Sequence, residues 1–167
     1  MHGVRPKENT LDDLDDTILM LDNITSTENI GSIARSMAAL GVRSYLVPNA
    51  SPHPYGRRAL RVSMGYMSHL KYHIYEDVFN TINQLKQRGY KIFAAEVSEN
   101  STPLAEVKVP RKWVLIMGHE GKGISEEILD VCDEVVTIEM QEDVKSFNVG
   151  VAASIMMYQF KNSYNCK

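Results

Sequence analysis

The run W-V-L-I-M at residues 113–117 is apolar at every position. A strand with no polar side has both faces buried, which requires a sheet covered on both sides. Less uniformly apolar runs recur along the chain: T-I-L-M-L at 17–21, S-Y-L-V at 44–47, K-I-F-A-A at 91–95 and V-V-T-I-E-M at 135–140. H-L-K-Y-H-I-Y at 69–75 alternates as a further strand. Helical patterns lie between them. Ile30, Ile33, Ala34, Met37 and Leu40 form a stripe at 3.6 spacing over residues 26–40, with Thr25 and Glu28 as a capping box and Gly41 as the stop. Residues 56–64 predict a short helix. Asp77 opens another, with Val78, Phe79, Ile82 and Leu85 inward and Gly89 at its end. Residues 125–132 and 147–161 complete the set. The expected class is α/β, a mostly parallel sheet with helices on both faces.

A length of 167 residues fits one domain, and 44% hydrophobic residues can build a sizeable core. The expected division is an arm over 1–16, one domain over 17–161 and a tail over 162–167. No apolar run approaches the ~20 residues that cross a bilayer, and the N-terminus carries no apolar secretory segment. Cys132 and Cys166 read as free thiols of a reducing cytosol, so the expected location is cytoplasmic. The net charge is −3, which disfavours general attraction to nucleic acid. A local basic patch remains: Arg57, Arg58 and Arg61, with Lys71 beyond. Taken alone, such a triplet reads as a solvated helix face.

Three segments do not serve the core alone. In N-I-G-S-I-A-R (29–35), Arg35 lies off the buried stripe, and Gly31 is expected to leave the helix surface beside it bare. M-G-H-E-G-K-G-I-S (117–125) follows the most apolar strand, where ligands sit in open parallel sheets. It is neither a P-loop nor a dinucleotide fingerprint. His119 beside Glu120 lacks partners at ligand spacing, so no metal is expected. S-F-N-V-G-V-A-A-S-I (146–155) opens on the polar pair Ser146 and Asn148 around Phe147, a helix cap. It continues with Gly150, Ala153, Ser154 and Met157, mostly small residues that permit close helix packing.

In order and spacing these segments resemble the three motifs of the SpoU/TrmH family of RNA ribose 2′-O-methyltransferases, in the SPOUT superfamily. The likeness covers residues 17–161. It implies catalytic roles for Arg35, Asn29, Glu120, Ser146 and Asn148. It implies S-adenosylmethionine (SAM) held by Ala95, Gly118, Ile138, Met140, Phe147 and Asn148. It implies a C-terminal trefoil knot, a homodimer in which Arg35 approaches the partner's cofactor, and a tRNA or rRNA substrate bound through Arg57, Arg58 and Arg61. Two departures stand out: Glu139 where the family carries proline, leaving that loop less preset in φ, and Phe147 where leucine is usual. Two other readings stay open: a SPOUT-fold homodimer that binds RNA or a partner without catalysis, and another α/β nucleotide binder using the glycine turn.

Overall fold

The computed structural model describes residues 6–144 and 147–165. The strands are β1 (Thr17–Leu21), β2 (Ser44–Pro48), β3 (Lys71–Tyr75), β4 (Lys91–Ala95), β5 (Thr102–Pro103), β6 (Trp113–Met117) and β7 (Glu134–Thr137). They form one sheet in the order β3-β2-β1-β6-β4-β7-β5. Every pairing is parallel. The helices are α1 (Thr27–Leu40), α2 (Arg57–Val62), α3 (Val78–Gln87), α4 (Glu126–Val131) and α5 (Val149–Asn165).

The two-residue period of a strand divides the core. Leu19, Leu21, Phe93, Trp113, Leu115 and Met117 face α1 and α5, packing on Ile30, Ile33, Met37, Met156, Met157 and Phe160. Ile18, Met20, Ile92, Ala94, Val114 and Ile116 face the other way, onto Ile82, Leu85 and Ile128 of α3 and α4. β6 lies mid-sheet and is buried throughout, as its composition requires. The Phe160 ring meets Phe93 and Trp113 edge-on, at centroid distances of 4.9 and 5.1 Å.

Several local expectations are corrected. Ser26, not Thr25, caps α1, its Oγ accepting from the Asn29 amide at 3.2 Å. Phe79 is 46% exposed, because it lies off the face of α3 that carries Val78, Ile82 and Leu85 to the core. The alternating run at 69–75 divides into a 3-10 turn (Tyr66–His69) and β3. β7 stops at Thr137, which leaves 138–140 outside the sheet, and α5 starts at Val149 rather than 147. β5, in a stretch with no strand pattern in the sequence, adds an edge of only two residues.

Residues 6–9 bond along β3, and residues 12–16 run on to Arg88, Ser44, Tyr90 and Trp113. Asn9 exchanges bonds with Tyr72: its amide donates to the Tyr72 carbonyl at 2.9 Å, and its Oδ1 accepts from the Tyr72 amide at 3.2 Å. Leu11 and Leu14 are buried. An edge strand covered this way offers fewer open backbone groups for pairing. Cys132 is free, with burial pushing its thiol up to about 12, while Cys166 lies outside the described residues. No described helix is long and apolar enough to cross a membrane.

Candidate active site

A cleft of about 540 Å³ opens at the carboxyl ends of β4, β6 and β7. Ala95, Gly118, Ile138, Met140 and Phe147 all line it, as does Glu120. Met117, Ala152 and Met156 add apolar wall. The volume lies in the range of pockets for small organic ligands, roughly 300–1,000 Å³.

The glycine turn after β6 forms the rim, and at two of its glycines there is no room for a Cβ. A Cβ on Gly118 would sit 2.5 Å from Ile124 Cγ1 and 2.9 Å from the Ile124 amide nitrogen. Gly123 adopts φ +69° with the Glu96 carboxylate packed against its Cα. Glu96 accepts from the Ile124 amide at 2.8 Å, tying the loop after β4 to the loop after β6. His119 Nδ1 accepts from the Gly121 and Lys122 amides at 3.0 and 3.2 Å, which folds the turn on itself. With Nδ1 engaged as an acceptor, a neutral His119 carries its proton on Nε2.

A chain of hydrogen bonds links the three sequence motifs. Asn29 Nδ2 donates to Glu120 Oε1 at 3.0 Å, and the Ser26 amide reaches the same oxygen at 3.4 Å. Asn148 Nδ2 donates to Asn29 Oδ1 at 3.4 Å. Asn148 Oδ1 caps α5, accepting from the Gly150 and Val151 amides at 2.8 and 3.3 Å. Burial pushes the Glu120 carboxyl upward, but bonds from the Asn29 amide group, its own backbone and Ser26 outweigh it, with His119 adding to them. The net direction is downward. Glu120 is therefore ionised at neutral pH and acts as an acceptor that orients Asn29. Asn148 lies among the linking groups and does not line the cleft. Ser146 lies outside the described residues.

Arg35 is exposed on α1, does not line the cleft of its own chain, and bonds to no described residue. One turn on, Ala39 borders an apolar groove of about 480 Å³ shared with Leu40, Leu104, Ile155 and Tyr158. α5 rests on α1 beside this groove through small residues. Ser154 Oγ donates to Ser36 Oγ at 2.7 Å, and a Cβ on Gly150 would stand 2.9 Å from Ser32 Oγ. The space above Gly31 is not open, which corrects the expectation of a bare surface there. α2 fills it, so that a Cβ would meet the Ala59 carbonyl oxygen at 2.7 Å and Val62 Cβ at 2.8 Å.

Arg57, Arg58 and Arg61 are exposed on α2. Arg58 is ion-paired to Glu28 of α1, leaving Arg57 and Arg61 without ionic partners among the described residues. Lys71 does not extend this patch; its Nζ is held by Asp15 Oδ1 and the Asp13 carbonyl oxygen, both at 2.9 Å. Sequence reasoning passed over Glu96, Thr137 and Met156. A lone carboxylate after a strand gives no sign of the glycine it will pack against.

These features define a parallel α/β domain with a ligand cleft closed by its glycine turn and terminal helix. A sequence profile of the SpoU rRNA Methylase family matches residues 16–158, and the chain belongs to that family. A protein of Staphylococcus saprophyticus, assigned provisionally to the TrmH family of tRNA/rRNA methyltransferases, is 34% identical over 143 residues. Those residues are 86% of this chain and 57% of that protein, so the chain spans little more than half of this relative. Among solved structures, the SpoU methyltransferase AviRb of Streptomyces viridochromogenes, in complex with AdoMet, superposes with a TM-score of 0.83. It is 23% identical over 93% of this chain and 65% of its own. A chain from work on 2-OH methylation of C/U34 on tRNA gives a TM-score of 0.79 at 24% identity, covering 90% of this chain and 97% of that one. Both share the parallel α/β fold.

Proposed function

We propose that this chain is the catalytic unit of a SAM-dependent methyltransferase acting on a ribose 2′-hydroxyl of tRNA or rRNA, in the cytoplasm and as a homodimer. The observation that carries the reading is the joining of three distant motifs beside one cleft, through Asn29, Glu120 and Asn148. The cleft suits a nucleoside sulfonium. Met117, Ile138, Ala152 and Met156 offer apolar wall, and the turn from Gly118 to Gly123 keeps its backbone close to any occupant. Ala95, Gly118, Ile138, Met140 and Phe147 would hold SAM, which supplies an electrophilic methyl group when bound.

The protein's task is alignment and charge. Fixing a ribose oxygen in line is worth up to ~7–11 kcal/mol in favourable cases. A guanidinium has a pKa above ~12 and does not serve as a base at neutral pH. Arg35 instead holds the neighbouring phosphate and stabilises the forming alkoxide, while the hydroxyl proton leaves to water or a phosphate oxygen. Arg35 does not line its own cleft, and in this reading it serves the cleft of a second copy. The groove beside Ala39, with Ile155 and Tyr158 exposed, is the face on which that copy sits. A trefoil knot threaded by the C-terminal part of the chain belongs to the same proposal. Arg57 and Arg61 contribute phosphate contacts.

Arg35→Ala tests this directly. Methyl transfer is expected to fall by about 10²–10³-fold, the usual cost of losing one charge-stabilising donor. SAM affinity, measured by calorimetry, is expected to hold. Unchanged turnover would remove Arg35 from catalysis, and a lost SAM signal would move it to the cofactor.

A further inference from the structure

Beyond α2 the chain makes an unusual turn. Met64 takes φ +56° and Gly65 φ +81° before the 3-10 turn Tyr66–His69. A left-handed backbone is rare for a residue with a side chain as large as methionine, and such conformations gather at functional positions. The turn is anchored from below. Met67 and Leu70 are buried, and the Tyr55 hydroxyl donates to the Met67 carbonyl at 3.2 Å. Its upper side is apolar and aromatic. Met64 is 64% exposed and Tyr66 44%. The Tyr66 and His69 rings lie 5.3 Å apart at 51°. Core packing accounts for Met67 and Leu70, but not for three large side chains held outward on a fixed backbone.

Arg57 and Arg61 lie one helical turn apart on α2, immediately before this turn, and are exposed and unpaired among the described residues. Glu28 neutralises Arg58 and so ties α2 to α1, the helix that carries Asn29 and Arg35. Gly31 lets α2 approach α1 closely. The surface is therefore rigidly connected to the helix of the proposed reaction. In a chain of net charge −3, two free guanidinium groups beside an exposed ring pair favour an anion that also carries planar rings.

We propose that Tyr66, supported by His69 and Met64, is a stacking platform for an unpaired base of the RNA substrate, with Arg57 and Arg61 holding the flanking phosphates. This rests on the RNA-methyltransferase reading and narrows it: the substrate presents a single-stranded loop, since bases inside an A-form duplex cannot stack on protein rings. The tyrosine supplies a ring face that tolerates any base, so the platform positions the strand without choosing its sequence.

The test uses fluorescein-labelled oligouridine, read by anisotropy across a salt series, with SAM binding measured in parallel by calorimetry. Tyr66→Ala is expected to weaken oligouridine binding by about tenfold, the scale of one base–aromatic stack. Tyr66→Phe should stay near wild type, and SAM affinity should not move in either variant. The salt slope should be unchanged in Tyr66→Ala and shallower by roughly 1.4 in Arg57→Ala/Arg61→Ala, at about 0.7 for each phosphate no longer neutralised. Irradiation of a 5-iodouridine oligonucleotide should crosslink Tyr66, mapped by mass spectrometry. Wild-type affinity in Tyr66→Ala, with the crosslink elsewhere, would overturn the platform and leave the methyltransferase reading standing. SAM binding without oligouridine binding by the wild type would also overturn it. Binding of neither would overturn both.

Discussion

Glu120 joins residues that are far apart in the chain. Its carboxylate takes the Asn29 amide, and Asn29 in turn takes the amide of Asn148, a link across 119 positions. Because its folded pKa is lowered, the charge that holds Asn29 is present throughout the neutral range. It is lost only as pH falls below the ordinary carboxylate value, through the lower folded one. Glu120→Gln keeps the oxygen but removes the charge. Charge-assisted bonds exceed neutral ones, so methyl transfer is expected to drop by about tenfold at neutral pH, with SAM affinity little changed. Unaltered turnover would show that the Asn29 bond needs no charge. This linkage was partly legible in the sequence, because Asn29, Glu120 and Asn148 sit in motifs with a shared resemblance. The bond from Glu96 to Ile124 was not. It depends on a gap left by Gly123, and nothing in the linear order pairs those positions.

At the scale of elements, the glycine turn between β6 and α4 decides whether the cleft forms. Gly118→Ala would put a methyl group against Ile124 and the Gly123 carbonyl carbon. Overpacking of this kind costs about 1–3 kcal/mol. Urea unfolding should show that loss, and calorimetry should show weakened SAM binding from a displaced rim. Full stability with full affinity would mean the turn has slack. The strands were the most readable elements, because β1, β4 and β6 are apolar on both faces and admit few other interpretations. Elements whose identity depends on neighbours read less well. β5 has only two residues and pairs because β7 lies beside it. Phe79 is apolar and adjoins the stripe of α3, yet it sits a quarter-turn round from Val78, Ile82 and Leu85 and stays in solvent. Ser26 rather than Thr25 caps α1 because the chain leaving β1 sets which hydroxyl meets the Asn29 amide.

For the whole molecule, the proposed reaction needs two copies, since Arg35 does not line the cleft of its own chain. The groove between α1 and α5 carries Ile155 and Tyr158 at 37% and 60% exposure. Burying such side chains contributes about 1.5–3 kcal/mol each. Ile155→Glu is expected to yield a monomer by light scattering, with methyl transfer lost and the fold retained by circular dichroism. An active monomer would place Arg35 outside the reaction. On the proposed reading, the basic face on α2 is where a chain of net negative charge would engage RNA: attraction is concentrated locally. The most direct measurement of the central claim is transfer of tritiated methyl from SAM to total RNA of a strain lacking the gene, followed by nucleoside analysis. Label is predicted on 2′-O-methylnucleosides and is predicted to vanish with Arg35→Ala. Label on a base, or none at all with SAM bound, would contradict it.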